Sequence, residues 1–128
     1  MKQTVGLVLA LLVGIAIGAG GIPAIYAQTG GSPTYVVADM KVTQPAPFTE
    51  YMRGEPATLA PFHGRVAARG LPTVLEGPPP AGVVTIYQFP NPEDANHWYY
   101  SEAYAKLKDL RQQAATTSIY FLTGVVTR

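Results

Sequence analysis

Cysteine is missing from this chain. Its absence excludes disulfides, thiolate catalysis, iron–sulfur clusters, cysteine zinc sites and a lipid-modified N-terminal cysteine together. Charge is the next scarcity, with 9 basic and 8 acidic residues among 128. The basic residues are scattered, apart from Arg65/Arg69 and Lys106/Lys108/Arg111. No nucleic acid partner is expected, because phosphate binding draws on a clustered basic surface. Only two imidazoles are present, His63 and His97, without HxH or HxxxH spacing. A metal site wants several protein ligands, so none is expected, and no cofactor is implied.

Charge is also absent from most of the N-terminal part. After Lys2, the next charged residue is Asp39. Val5 to Ile17 is an apolar run, Gly18, Gly20, Gly21 and Pro23 interrupt it, and small Ala27 precedes Gln28. This is the pattern of a secretory signal peptide over residues 1–27. The alternative is an N-terminal anchor, since Val5 to Ala27 is long enough to span a bilayer if it is not cleaved. Either reading places the body outside the cytoplasm, periplasmic or secreted, with membrane contact only through the anchor. Residues 28–34 (QTGGSPT) have linker composition, and residues 35–126 make one domain with a modest core.

The body alternates period-2 and helical patterns. Tyr35 to Val42 reads as a strand with Val36, Ala38, Met40 and Val42 on one face, and Tyr35, Val37, Asp39 and Lys41 on the other. Thr43 to His63 reads as helix, opened by Pro45 and Pro47, interrupted at Gly54 and Pro56, and closed at Gly64 in a positive-φ position. Arg65 to Glu76 reads as an edge strand bent at Gly70-Leu71-Pro72. Residues 77–82 (GPPPAG) make a stiff turn into the strand Val83 to Phe89. Asn91, Pro92, Glu93 and Asp94 are a helix-start sequence, and Ser101 offers a second cap. Beyond it Ala103, Leu107, Leu110 and Ala114 form a narrow stripe, leaving Lys106, Lys108, Asp109 and Gln112 in solvent. Ser118 to Val126 is the last strand.

The order β-α-β-β-α-β with right-handed crossovers gives an α+β, ferredoxin-like sandwich. Helices cover one sheet face only. Several strands are apolar on both faces, so a homodimer packed sheet against sheet is expected.

Several runs carry a resemblance. Phe62-His63-Gly64-Arg65, Ala68-Arg69-Gly70, Leu75-Glu76-Gly77, Tyr87-Gln88-Phe89-Pro90, Trp98 to Tyr104 and Leu107…Arg111 together resemble the DUF1330 family, from Tyr35 to Gly124. The chain departs from the family at His63, where a second glycine is commoner, and in its N-terminal segment. The resemblance implies the dimeric α/β-barrel group and names no function.

The candidate ligand-binding residues are Arg65, Arg69, Glu76, Trp98, Tyr99, Tyr104 and Arg111. Arg65 and Arg69, four residues apart, share a strand face at period 2 and could clamp an anion. Their plainer role is an exposed or structurally paired couple, with Glu76 as a bridge. Trp98, Tyr99 and Tyr104 could line an apolar pocket with polar rims, or serve as core and interface aromatics. Arg111 reaches a buried acid or the pocket. Three functions stay open: binding of a small anionic or aromatic molecule, a cofactor-free monooxygenase- or isomerase-like reaction, and a structural dimer without ligand. Catalytic residues are not assignable from these patterns.

Overall fold

The computed structural model describes residues 32–125. The expected leader and most of the linker, with Val126 of the expected last strand, lie outside the described residues. No helix among the described residues is long and apolar enough to cross a membrane.

Apolar side chains at every second position, Val36, Ala38, Met40 and Val42, make Thr34–Val42 the strand β1. Its Val36, Ala38 and Met40 are buried, while Tyr35, Val37 and Asp39 are only partly covered. Two short helices follow, α1 (Pro45–Gly54) and α2 (Pro56–Leu59), each with proline in its first turn, where no hydrogen-bonding N–H is missed. The break between them falls on Glu55. A short 3₁₀ turn, Ala60–Phe62, then ends at His63. The left-handed residue here is His63, at φ 59°, and not Gly64 as the pattern suggested. Gly64 is required for another reason: a Cβ there would collide with the ring of Phe89.

Strand β2 is Arg65–Gly70, shorter than expected. Pro72 has no N–H for a ladder, and Leu71 to Ala81 runs exposed and without strand pairing. The far end of this segment is tied down by Asp39, whose carboxylate accepts from the backbone N–H of Ala81 at 2.8 Å and Gly82 at 2.9 Å. Strand β3, Val83–Phe89, buries Thr85, Tyr87 and Phe89.

Helix α3 (Pro92–Tyr99) starts as its sequence prescribes: the Asn91 side chain accepts from the Asp94 N–H at 2.8 Å. Helix α4 (Glu102–Ala114) is capped by Ser101 Oγ on the Tyr104 N–H at 3.2 Å. Its buried face differs from the expected stripe. Tyr104, Arg111 and Ala114 are buried, whereas Ala103 is exposed. The helix turns its largest ring inward, because burying a tyrosine removes far more apolar area from water than burying an alanine. No loop follows it. Ala115 is at once the C-cap of α4 and the first residue of β4 (Ala115–Thr123).

The sheet is antiparallel in the order β2-β3-β1-β4, with helices packed on one face, the α+β ferredoxin-like topology. Tyr51, Tyr87, Phe89, Trp98, Tyr104 and Met40 are the large, fully buried side chains between sheet and helices.

Candidate functional site

The break between α1 and α2 places Glu55 under the helices at zero accessibility. A buried carboxylate is costly unless it is paired and hydrogen-bonded. Here Arg69 reaches Oε1 from β2, and the Tyr87 hydroxyl donates to Oε2 at 2.5 Å. Arg69 also donates Nε–H to Thr85 Oγ1 at 3.0 Å. Burial works against the charged guanidinium of Arg69, but the Glu55 carboxylate outweighs it and raises its pKa.

Three phenols extend this pair across the core. Tyr51 Oη lies 3.3 Å from Tyr87 Oη and 3.0 Å from Tyr104 Oη. Each phenol has one proton. Tyr87 gives its proton to Glu55, so Tyr51 must donate to Tyr87, and Tyr104 to Tyr51. The chain therefore points one way, from Tyr104 to the carboxylate. Burial first, and neighbouring phenols and Glu55 next, push the Tyr51 hydroxyl far above its ordinary range. Burial and then Glu55 do the same to Tyr87. Tyr104 is also raised by burial, against an opposing pull from Arg111.

Trp98 closes the network from the side. Its Nε1–H donates to Thr58 Oγ1 at 2.9 Å, and Thr58 donates to the Glu55 carbonyl at 2.7 Å. Its ring lies 4.2 Å from Tyr104 and 5.0 Å from Tyr87. Trp98 and Tyr104 are thus core residues with polar tips.

The two strand arginines part company. The register pairs Arg65 with Gln88, Val66 with Tyr87, Ala68 with Ile86 and Arg69 with Thr85. One extra residue is bulged out between Val66 and Ala68. Arg69 therefore faces the helices, whereas Arg65 faces the open side and donates to the Gln88 side chain. The expected shared-face clamp does not form. Glu76 is exposed in the segment after β2 and bridges neither arginine. Arg111 is buried at 2% accessibility, yet Nε and Nη1 have no hydrogen-bond partner. The buried acid expected for it is not there, since Glu55 is taken by Arg69.

A cavity of about 360 Å³ opens between α3 and the helix-facing side of β1 and β4, against Val36, Ala95, Asn96, Tyr99, Ile119 and Phe121. Of the candidate residues, only Tyr99 lines it. Lys108 is half-buried rather than solvated, its Nζ 3.8 Å above the Tyr99 ring. Tyr99 in turn packs on Tyr104 at 5.9 Å between centroids, so one aromatic layer joins the cavity to the phenol chain. Among the described residues no group of three or more His, Asp or Glu side chains is placed to hold a metal.

Glu55, Tyr51 and Tyr87 are site residues that pattern reading did not single out. One signal was present: an acid wedged between Gly54 and Pro56 in a chain poor in charge.

The family model described as "Domain of unknown function (DUF1330)" matches residues 33–125. No curated protein matches the chain. Among solved structures, the chain is similar to the RPA0582 protein of unknown function from Rhodopseudomonas palustris. That match has 16% identity, covers 83% of this chain and 93% of the other, and has a TM-score of 0.59. It is also similar to SnoaB, a cofactor-independent oxygenase from Streptomyces nogalater, at 14% identity, 76% and 97% coverage and a TM-score of 0.57. At these identities the likeness establishes the fold.

Proposed function

The chain belongs to the DUF1330 family, a domain of unknown function, and on that premise we propose that it binds a small, ring-containing molecule in the cavity between α3 and β4. The observation that carries this reading is the lining: aliphatic and aromatic walls, with the Asn96 amide and the Tyr99 ring at one side. Such a mix of apolar wall and few polar groups is typical of small-molecule sites. NMR titration of the full chain with 1-naphthol tests it. Shifts should concentrate at Asn96, Tyr99 and Ile119 and vanish in Ile119→Trp, which fills the cavity. Scattered shifts indifferent to that substitution would sink the reading.

The binding unit is a homodimer joined through the open sheet face. Val37, Val84 and Ile86 are partly exposed there, Tyr120 is 54% exposed and Leu122 56%, an apolar surface of the kind that marks an interface. Light scattering at micromolar concentration should give twice the chain mass. The body works outside the cytoplasm, as the N-terminal pattern suggests. Intact mass of the exported protein should start at Gln28, and a retained Met1 would reject cleavage.

A second reading is a cofactor-free enzyme that removes a proton from its ligand. It is favoured by the one-way chain from Tyr104 to Glu55. A proton entering at Tyr104 can be relayed by successive hops, leaving each phenol neutral and Glu55 protonated. Turnover of the ligand lost in Tyr51→Phe, with binding retained, would decide for it.

A further inference from the structure

Arg111 is the one fully buried basic side chain among the described residues, and its charge is uncompensated. Leaving the one Nε–H and the two Nη1–H donors unbonded in the interior is strongly unfavourable. Native structures rarely tolerate this without a partner supplied from elsewhere. The missing partner has to be an acceptor, because guanidinium only donates.

The surroundings specify the acceptor further. A long helical side chain leans toward the helix N-terminus, which carries the Arg111 head from the last turn of α4 toward Tyr104. The downward pull of Arg111 on the Tyr104 hydroxyl is consistent with that direction. Tyr104 spends its proton on Tyr51, so it brings no donor to compete for an incoming anion. Thr117 also has a buried hydroxyl without partner, on the helix-facing side of β4 opposite Met40. It lies one inward-facing step along β4 from Ile119, which lines the cavity. Arg111 on α4 and Thr117 on β4 thus each carry an orphaned group in the interior of the helix–sheet layer; neither lines the cavity, but Thr117 neighbours Ile119, which does. The Tyr99 wall of the cavity packs on Tyr104, the residue toward which Arg111 leans.

We propose that the molecule bound in this cavity carries a single carboxylate, and that the carboxylate is received by Arg111 and the Thr117 hydroxyl while the ring stays between α3 and β4. This rests on the cavity reading above. An aromatic monocarboxylate supplies both parts: a planar apolar body for Tyr99 and Ile119, and one unit of negative charge for the guanidinium. A carboxylate can take two parallel N–H bonds from Nε and an Nη of one arginine. Of the two orphaned nitrogens, Nε lies on the edge such a pair uses, together with Nη2, while Nη1 lies on the other side of the guanidinium.

The test compares benzoate with benzamide, nearly equal in shape and different in charge, by calorimetric titration of the full chain. Benzoate should bind at least tenfold more tightly. In Arg111→Met the preference should vanish while benzamide affinity stays within about twofold, and the ligand-free protein should melt no lower than the parent. Arg111→Lys should retain part of the preference, which guards against a folding defect in the methionine variant. Equal affinities in the parent, or a benzoate preference that survives Arg111→Met, would overturn the proposal. If 1-naphthol binds and benzoate does not, the carboxylate is wrong and the cavity stands. If neither binds, the cavity reading itself fails.

Discussion

The two faces of the sheet each depart in part from the usual distribution of polarity: an apolar core with polar groups set into it on one side, and apolar side chains among polar ones on the other. The face under the helices holds a carboxylate, two guanidinium groups and three linked phenols. The open face presents Val37, Val84, Ile86, Tyr120 and Leu122 toward solvent. An antiparallel sheet with one solvated face ordinarily alternates apolar inside and polar outside. Each departure has its own meaning. Polar groups that must be satisfied in the interior fix one arrangement of side chains and concentrate perturbed titrations, a mark of functional sites. Apolar groups left outside mark a surface that another molecule covers.

The contrast can be broken from the inside first. Glu55→Gln leaves Arg69 beside a neutral amide, and breaking a buried pair on one side costs about 3–5 kcal/mol. Arg69 keeps some solvent contact, with a side chain 22% exposed, so the lower end is expected in urea unfolding. On the open face, Leu122→Lys should weaken the proposed dimer at least a hundredfold, about 2.8 kcal/mol, while far-UV circular dichroism stays unchanged. Alkali separates the faces by a different route. The three inner phenols have pKa values raised above the ordinary 10.0. Their unfolded counterparts release protons first as pH rises past that value, so stability is intact below it and falls above it. The slope is about 1.4 kcal/mol per pH unit for each phenol. Denaturant midpoints measured upward from pH 10 should fall steeply, and less steeply in Tyr51→Phe, which removes one of the three. The smallest effect belongs to Arg65→Ala, within about 0.5 kcal/mol, because Arg65 is exposed and hydrogen-bonded to a neutral amide.

Much of the scaffold was legible because its signals are local. Strand β1 follows from strict alternation, and the starts of α3 and α4 follow from Asn91 and Ser101, whose side chains make the expected caps. The order of elements then leaves few sheet topologies to choose from. What was misread depends on tertiary partners. Periodicity gave α4 a stripe through Ala103, but the helix rotates to bury the Tyr104 ring and the Arg111 head. The sequence pattern carries β2 on to Glu76, whereas pairing with β3 ends at Gly70. Glu55 belongs to no periodic pattern at all. Its burial is set by Arg69 and Tyr87, 14 and 32 residues away in sequence. For the site, the sequence singled out Trp98, Tyr104, Arg69 and Arg111, which the structure places in the buried layer, but not Tyr51, Tyr87 or the acid that joins them.

The irregularity between Val66 and Ala68 carries a consequence for insertions and deletions. With Ala67 unpaired, Arg65 and Val66 on one side and Ala68 and Arg69 on the other already meet consecutive residues of β3, from Gln88 down to Thr85. A chain lacking Ala67 would form a regular ladder with every side chain opposite the same partner. Shortening this strand by that residue is therefore silent for the Arg69–Glu55 pair. Removing a residue from β3 would exchange its two faces along the rest of the strand. Two chains compared by simple residue counting across β2 can thus look one step out of phase while presenting the same arginine to the same acid.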